Sequence, residues 1–559
     1  MNSTARNMYV FRDGRRSEPG RTLVDALAAE LRSLPSDPTY AACDHLIGPL
    51  LRAGEIECAL ADLHSPEAAR LLRITDSLAA ALVWSSRPLL RNESRPSLSS
   101  AELIESLPRD VPDTLTISPP EGFVYYALHP LDFVDLAERF SFTPAAVIGI
   151  RSIGTTLSAL VAAALSRRGM RISRITVRPI GHPYDRRTEL TSEQLRWVAA
   201  QRAGEAEFLV VDEGPGMSGS SFLSVGEALL GAGVAREHIH FLCSREPNPD
   251  MLCARDARER WLGFRAHYAY ANSHLPPQAR IYVGGGHWRE HLYSDPSNWP
   301  ASWTQMERLK FLSPDKRTLF KFEGLGRFGS EVHRRAQLLG EAGFSPAPQG
   351  FLDGFGRYPM VPGAMLQATS INRELLLRMA AYCAFRAMAM RSADGQQPQA
   401  IEDMVRFNVR EEFGIELEEV GPFHAAIPVI VDGRMLPHEW RQTSDGSILK
   451  LDGTSHGDDH FFPGPTDIAW DLAGAIAEWN LRGEAADYLI QQYRRRTGDD
   501  PRRRLPGFLL AYTVFRMAYC KMAADTVCGS GEEFRLLRDY RHYRELALAQ
   551  LPSLVQLAS

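Results

Sequence analysis

Several things are scarce in these 559 residues, and each scarcity removes a class of protein. The seven cysteines (Cys43, Cys58, Cys243, Cys253, Cys383, Cys520, Cys528) are scattered and form no CxxC or Cys/His cluster. That argues against a disulfide framework or a structural zinc site and fits a reduced, cytoplasmic compartment. No run of about 18 apolar residues occurs, and the start "MNSTARNMYVFRDGRR" has no apolar signal core, so neither a membrane span nor secretion is expected. An excess of positive charge is missing too: the net charge is −5. Nucleic acid and anionic membrane are therefore not expected partners, and any polyanion must be held locally. Internal repeats and low-complexity tracts are also absent.

What remains is the composition of a globular protein, 44% hydrophobic and 23% charged, too long for one core. Residues 21–90 carry apolar residues at helical spacing and end in the Ser/Pro-rich stretch 85–102. From about 120 to 250 short β-rich runs alternate with helical ones: "AAVIGI" (145–150), "ISRITVRPI" (172–180), "EFLVVD" (207–212) and "HIHFLCS" (238–244). Strands separated by helices predict a parallel α/β sheet. A Trp- and Gly-rich connector follows, then short strands, a helix and a long helical tail. The expected divisions are 1–100 (helical), 101–255 (α/β), 256–304 (connector) and 305–559.

In such a sheet ligands lie at the carboxyl ends of strands, against helix N-termini. "FLVVDEGPGMSGSSF" (208–222) places Asp212 and Glu213 before a loop of glycines and hydroxyls. Acids suited to ribose hydroxyls stand beside a cradle suited to phosphate. The stretch resembles the phosphoribosyltransferase signature, in which an apolar strand leads through two acids to a Ser/Thr/Gly loop. The resemblance implies a type I phosphoribosyltransferase core with Asp212 and Glu213 on the ribose. Gly216, Met217, Ser218, Gly219 and Ser220 would hold the 5′-phosphate, although Gly216 and Met217 stand where the family usually has threonines. It further implies a pyrophosphate loop at Arg151, Ser152, Gly154, Thr155 and Thr156, with Arg151 as clamp, and a mobile loop at 178–190. Phosphoribosyl diphosphate and Mg²⁺ would be co-substrate and cofactor. Tyr125, Tyr126 and His129 are candidates for the base-binding side, with aromatic core packing as the alternative.

Further on, "LFKFEGLGRFGSEVHRRAQ" has Lys321 on a strand and Glu331 opening a helix, a pair that kinase-like folds place on ATP phosphates. "GRYPMVPGAML" and the segment from Val431 to Ile476 resemble the hinge and catalytic segment of aminoglycoside phosphotransferases. The resemblance implies a bilobal kinase-like domain with a helical C-terminal part, Asp452 as Mg²⁺ ligand and Asp471 as brace in the helix start Asp467, Ala469, Asp471, Leu472, Ala473. "VDGRMLPHEW" lacks the family's His-x-Asp and following Asn. Asp432 is then the displaced catalytic base, His438 or Glu439 takes the metal-binding place of the Asn, and Asp458, Asp459 and His460 are further candidates. "YVGGGHWRE" (282–290) is a weak nucleotide-loop candidate because of its distance from Lys321.

The combined expectation is an α/β and α+β multidomain enzyme, a parallel-sheet Rossmann-like phosphoribosyltransferase core joined to an ATP-dependent small-molecule kinase-like domain. A homodimer is compatible with it. A non-catalytic sensor that binds ribose phosphates and carries a pseudokinase is the alternative.

Overall fold

Ala145–Ile150 is buried at every position, as expected of a parallel strand covered on both faces, and its alternate side chains enter different cores. Ala146, Ile148, Phe208, Val210 and Phe241 point to one side; Ala145, Val147, Leu209, Val211 and Leu242 point to the other. In this computed structural model the sheet has five parallel strands in the order Ile172–Val177, Ala145–Ile150, Glu207–Val211, Ile239–Cys243, Arg265–Tyr268. The residues described are 8, 10, 14–35, 43–87, 99–141, 143–269, 274–392, 398–418, 420–425, 427–458, 461, 462 and 464–555.

The N-terminal helices are not a separate unit, as the expected division at 100 had it. Strand Arg16–Pro19 pairs antiparallel with Thr114–Ile117. Helices Cys43–Asp62 and Ala68–Ser85 share one apolar core with helix Ile153–Arg167 and one face of the parallel sheet. A buried ion pair crosses that interface: Arg174 reaches both Glu57 oxygens, at 3.1 and 3.2 Å, and also pairs with Asp76. Buried charges of this kind are tolerated only when paired, so the contact fixes how helix and sheet meet.

The same core runs on into Phe311, Phe320, Phe322 and Phe355 of a second, antiparallel sheet of five strands. Its order is Ile281–Tyr282, Lys310–Leu312, Thr318–Phe322, Phe355–Pro359, Gly350–Leu352, with helix Gly326–Glu341 packed beside it. Gly326 and Gly48 are close enough that a Cβ at 326 would lie 3.1 Å from the Gly48 Cα, so the N-terminal helices form a middle layer between the two sheets. Two expected divisions shift accordingly. The parallel sheet extends past 255 to Tyr268, and the "connector" supplies the first strand of the antiparallel sheet. A largely helical part follows, with Leu505–Thr526 and Gly531–Val555 the longest helices, around its own core. Among the described residues no helix is long and apolar enough to cross a membrane.

Candidate functional sites

Adjacent parallel strands deliver their following loops to the same edge, and so 151–154 and 212–220 lie side by side. Asp212 accepts the main-chain N–H of Gly154 and of Glu213. This approach requires glycine, because a Cβ at 154 would lie 2.5 Å from the Val211 carbonyl oxygen. Ser152 takes φ +114°, a region L side chains seldom adopt and one common at ligand sites. Glu213 accepts from Gly122 N–H, and a Cβ at 122 would lie 2.5 Å from its carboxylate carbon. Gly122, in the segment that carries the base-side candidates Tyr125, Tyr126 and His129, thus lies against Glu213. Burial pushes Asp212 up to about 7; burial, then Asp212, then Glu121 push Glu213 up to about 8. Arg178 and Arg245 oppose this only through longer-range fields, and among the described residues no ion pair forms to either acid.

The phosphate-loop candidates lead into helix Ser220–Gly231. Met217 is exposed, and Gly216 and Gly219 have φ +60° and +69°. The hydroxyls of Ser218 and Ser220 donate to the Pro183 carbonyl at 2.7 and 2.6 Å. Pro183 is the tip of hairpin Ile180–His182/Asp185–Arg187, which is the expected mobile loop, and it rests on the 5′-phosphate loop rather than on the pyrophosphate side.

Three residues are placed differently from the sequence expectation. Thr155 and Thr156 are buried in helix Ile153–Arg167, with Thr156 Oγ1 against Gly54, so their side chains face the N-terminal helices rather than a pyrophosphate. Arg151 is held by Asp62 and the Ala61 carbonyl, both at 3.1 Å, and by Thr176. Arg178 is held by the same Asp62 carboxylate. Tyr125 lies beneath the Arg308 guanidinium, and His129 caps helix Pro130–Ala137 while stacking on His274, which are packing roles. Tyr126 is exposed.

The second site is a cavity of about 240 Å³ between the antiparallel sheet and the helical part. Lys321 projects from its strand across the cleft to Asp452 Oδ1 at 2.5 Å and Ser455 Oγ at 3.3 Å, and Lys310 lies 3.7 Å from Asp452 Oδ2. The two ammonium groups hold the Asp452 carboxyl well below its usual range against the opposing effect of burial. The expected Lys321–Glu331 pair does not form. Glu331 is 43% exposed and bound one turn along its own helix by Arg334 at 2.7 Å, while Arg335, from the same helix, donates to the Thr454 carbonyl.

Asp471 accepts the main-chain N–H of Asp432 at 2.8 Å and of Gly433 at 3.0 Å, which makes it the brace of that turn. Arg386, fully buried, ties the same turn to the Asp452 loop by donating to the Ile430 and Gly453 carbonyls. Asp467 accepts the Ala469 N–H and pairs with Arg504. Asp432 itself is 0% exposed, sealed behind Gly453, where a Cβ would lie 2.5 Å from its carboxylate. Its oxygens accept from Tyr382 at 2.5 Å and from Lys450, and it has no path to a substrate, which corrects its assignment as catalytic base. Burial drives His438 down to about 3; it stacks on Trp288 at the cavity wall and stands outside the cluster of ligand atoms. The residues that gather at that point are Asp432, Glu439 and His456, with one ligand atom each within 4.8 Å of one another. Burial raises Glu439 to about 7, opposed by Lys450, and lowers His456 to about 4. Both face the cavity.

His456, Lys310 and Lys450 were not singled out from sequence. Lys450 and Asp452 are two apart at the end of strand Ile448–Lys450, a spacing that puts both on one face and was the available signal. Asp458 ends a short turn, and Asp459 and His460 lie outside the described residues. The Gly-rich candidate occupies the connection between the first two strands of the antiparallel sheet. Its Trp288 and Val283 wall the cavity, and Met360 and Val361 of the expected hinge lie on the same wall. That connection is latched to the helical part by Arg289, which pairs with Glu532 at 2.9 Å.

Asp452, on the cavity wall and 22% exposed, has the donor chemistry for one divalent ion such as Mg²⁺. No family model matches the sequence, and no curated protein matches it. By structure, 43–48% of the chain is similar to solved phosphotransferases. Choline kinase LicA from Streptococcus pneumoniae shares 13% identity at a TM-score of 0.30, over 43% of this chain and 89% of the other. A choline/ethanolamine kinase family protein from Mesorhizobium loti shares 13% at 0.30, over 48% and 97%. Macrolide 2′-phosphotransferase MphH from Brachybacterium faecium shares 14% at 0.28, over 44% and 89%. The phosphoribosyltransferase expectation finds no counterpart among these.

Proposed function

We propose that the cleft binds a nucleoside triphosphate and transfers its terminal phosphoryl group to a small molecule. One observation carries this reading: Lys321 on a strand of one sheet meets Asp452 on a loop of the helical part, across a cavity whose catalytic-side turn is braced by Asp471. Lys321 and Lys310 supply fixed positive charge for phosphate oxygens, and the apolar wall at Val283, Trp288, Met360 and Val361 suits a flat base. A divalent ion held by Asp452 would neutralise charge on the bridging phosphate oxygens. In the transfer an acceptor hydroxyl oxygen bonds to the terminal phosphorus as the bond to the leaving diphosphate oxygen breaks. The hydroxyl proton passes to Glu439 or His456, two cavity-wall groups beside Asp452 able to take it. The test is ADP release from Mg²⁺-ATP by the full chain against a panel of hydroxyl-bearing metabolites. Acceptor-dependent ADP that is lost with Lys321→Met supports it; failure of the wild type to bind ATP sinks it.

A second reading concerns the α/β edge, favoured by Asp212 and Glu213, acids without an ion-pair partner among the described residues, beside a helix N-terminus. Here the ligand is a ribose 5-phosphate unit, and with phosphoribosyl diphosphate as donor the anomeric carbon–oxygen bond breaks, a bond to a base-like acceptor forms and pyrophosphate leaves. Pyrophosphate release with a panel of bases tests it. Binding of ribose 5-phosphate without any release identifies a sensor instead.

A further inference from the structure

Two of the three residues spaced for an ion in the cleft, Asp432 and Glu439, already hold a cation. Lys450, 1% exposed, donates from Nζ to Glu439 Oε2 at 2.7 Å, to Asp432 Oδ1 at 3.3 Å and to the Asp452 main-chain carbonyl. An ammonium has three N–H bonds, and here each has an oxygen acceptor. The acceptors come from three separate segments: the braced turn at Asp432, the short helix Pro437–Glu439 and the loop at Asp452. Kinase-like sites commonly place two divalent ions here, one of them on the Asn that follows the catalytic turn. In this chain Glu439, one of the two residues expected to take that place, is already bound to Lys450.

Two further features argue against an ordinary core ion pair. Lys450 reaches the cavity wall alongside Glu439, Asp452 and His456, so it faces the space a nucleotide's phosphates would enter. Asp432, which would otherwise be an uncompensated buried charge, is enclosed by Tyr382, Lys450, Arg386 and His456, and of these Lys450 bridges it to a second acid.

We propose that Lys450 is a tethered cation standing in the place of a second divalent ion, so that the cleft takes a single divalent ion, at Asp452. Asp432 is then a fixed counter-charge for Lys450 and acts as a positioning residue. The inference rests on the phosphotransfer reading only for the nucleotide; the occupancy of the triad is a property of the protein alone.

The experiment counts Mn²⁺ bound to the full-length protein by electron paramagnetic resonance, without nucleotide and then with ADP. Wild type is expected to bind one Mn²⁺ with ADP and none at the triad without it. Lys450→Ala is expected to gain one Mn²⁺ in the absence of nucleotide, with affinity at least about tenfold above wild type, because a positive charge beside two carboxylates has been removed. Lys450→Ala combined with Glu439→Gln should lose that ion again. Lys450→Met gives a second, less cavity-forming replacement with the same expectation. A wild type that binds two Mn²⁺ per ADP, or a folded Lys450 variant that gains none, overturns the proposal. If wild type binds no ADP but Lys450→Ala gains its ion, the phosphotransfer reading fails and the tethered cation stands.

Discussion

Both sites bring carboxylates together, and they manage the charge in opposite ways. At the α/β edge Asp212 and Glu213 have no cationic partner within ion-pair distance among the described residues; burial drives Asp212 up to about 7, and burial with the neighbouring Asp212 drives Glu213 up to about 8. In the cleft, the buried Asp432 and the partly exposed Asp452 are surrounded by Lys310, Lys321, Lys450 and Arg386, and both are held below the usual carboxylate range. The first site balances its charge with protons, which a ligand's hydroxyls can replace as hydrogen-bond donors. The second balances it with fixed ammonium groups, which set up a field for phosphates and keep Asp432 and Asp452 ionised. The first is therefore suited to a neutral polyol end of a ligand, and the second to a polyanion.

The largest expected effect comes from removing the charge at the centre of the fixed network. Asp452→Asn should lower acceptor-dependent ADP formation by about 10³-fold, near 4 kcal/mol of barrier, through loss of the ion-holding group and of the anchor for Lys321. A fall under about tenfold in steady-state rates would mean that Asp452 is not at the reacting phosphate.

A smaller effect separates the sites by pH. Below their raised pKa values Asp212 and Glu213 are protonated; as pH rises through about 7 and about 8 they ionise and become stronger acceptors for hydroxyls. Ribose 5-phosphate binding measured by calorimetry should tighten about tenfold from pH 6 to 8.5, and this step should vanish in Asp212→Asn/Glu213→Gln. Asp452 is ionised throughout, so any response of ATP binding over this range comes from Glu439, raised to about 7, and should persist in that double variant. A common pH profile at both sites would erase the distinction between them.

What could be read from the sequence follows from how local each feature is. The strand 145–150, the acid pair after strand 207–211 and the order Lys321, Asp452, Asp471 are written in contiguous runs, and the structure places them where such runs belong. The failures are of partnership. Lys321 meets Asp452 instead of Glu331 because Arg334 and Arg335 lie three and four residues along the same helix and claim that acid first. Thr155 and Thr156 look like loop hydroxyls in the sequence, but helix 153–167 starts before them and turns them into a core that the N-terminal helices complete. No local pattern announces that core, because its other half is about 100 residues upstream. The same holds for Lys450, whose role appears only when three separate segments converge on it.

The smallest expected effect sharpens the contrast from the other direction, by freeing cations at the site that lacks them. Asp62 holds Arg151 at 3.1 Å and Arg178 at 2.6 Å, and the Asp62 side chain is 34% exposed. Partly exposed pairs of this kind contribute only about 1 kcal/mol, so Asp62→Ala should leave the fold intact while releasing two guanidinium groups toward the acid-lined edge. Inorganic pyrophosphate should then bind about fivefold more tightly than to wild type, the gain growing at low salt, as unpaired arginines engage a polyanion. Unchanged or weaker binding would mean that Arg151 and Arg178 brace the N-terminal helices and do not serve the ligand. The α/β edge would then recognise its ligand through the Asp212–Glu213 end and the 216–220 loop alone, the reverse of the cation-rich cleft.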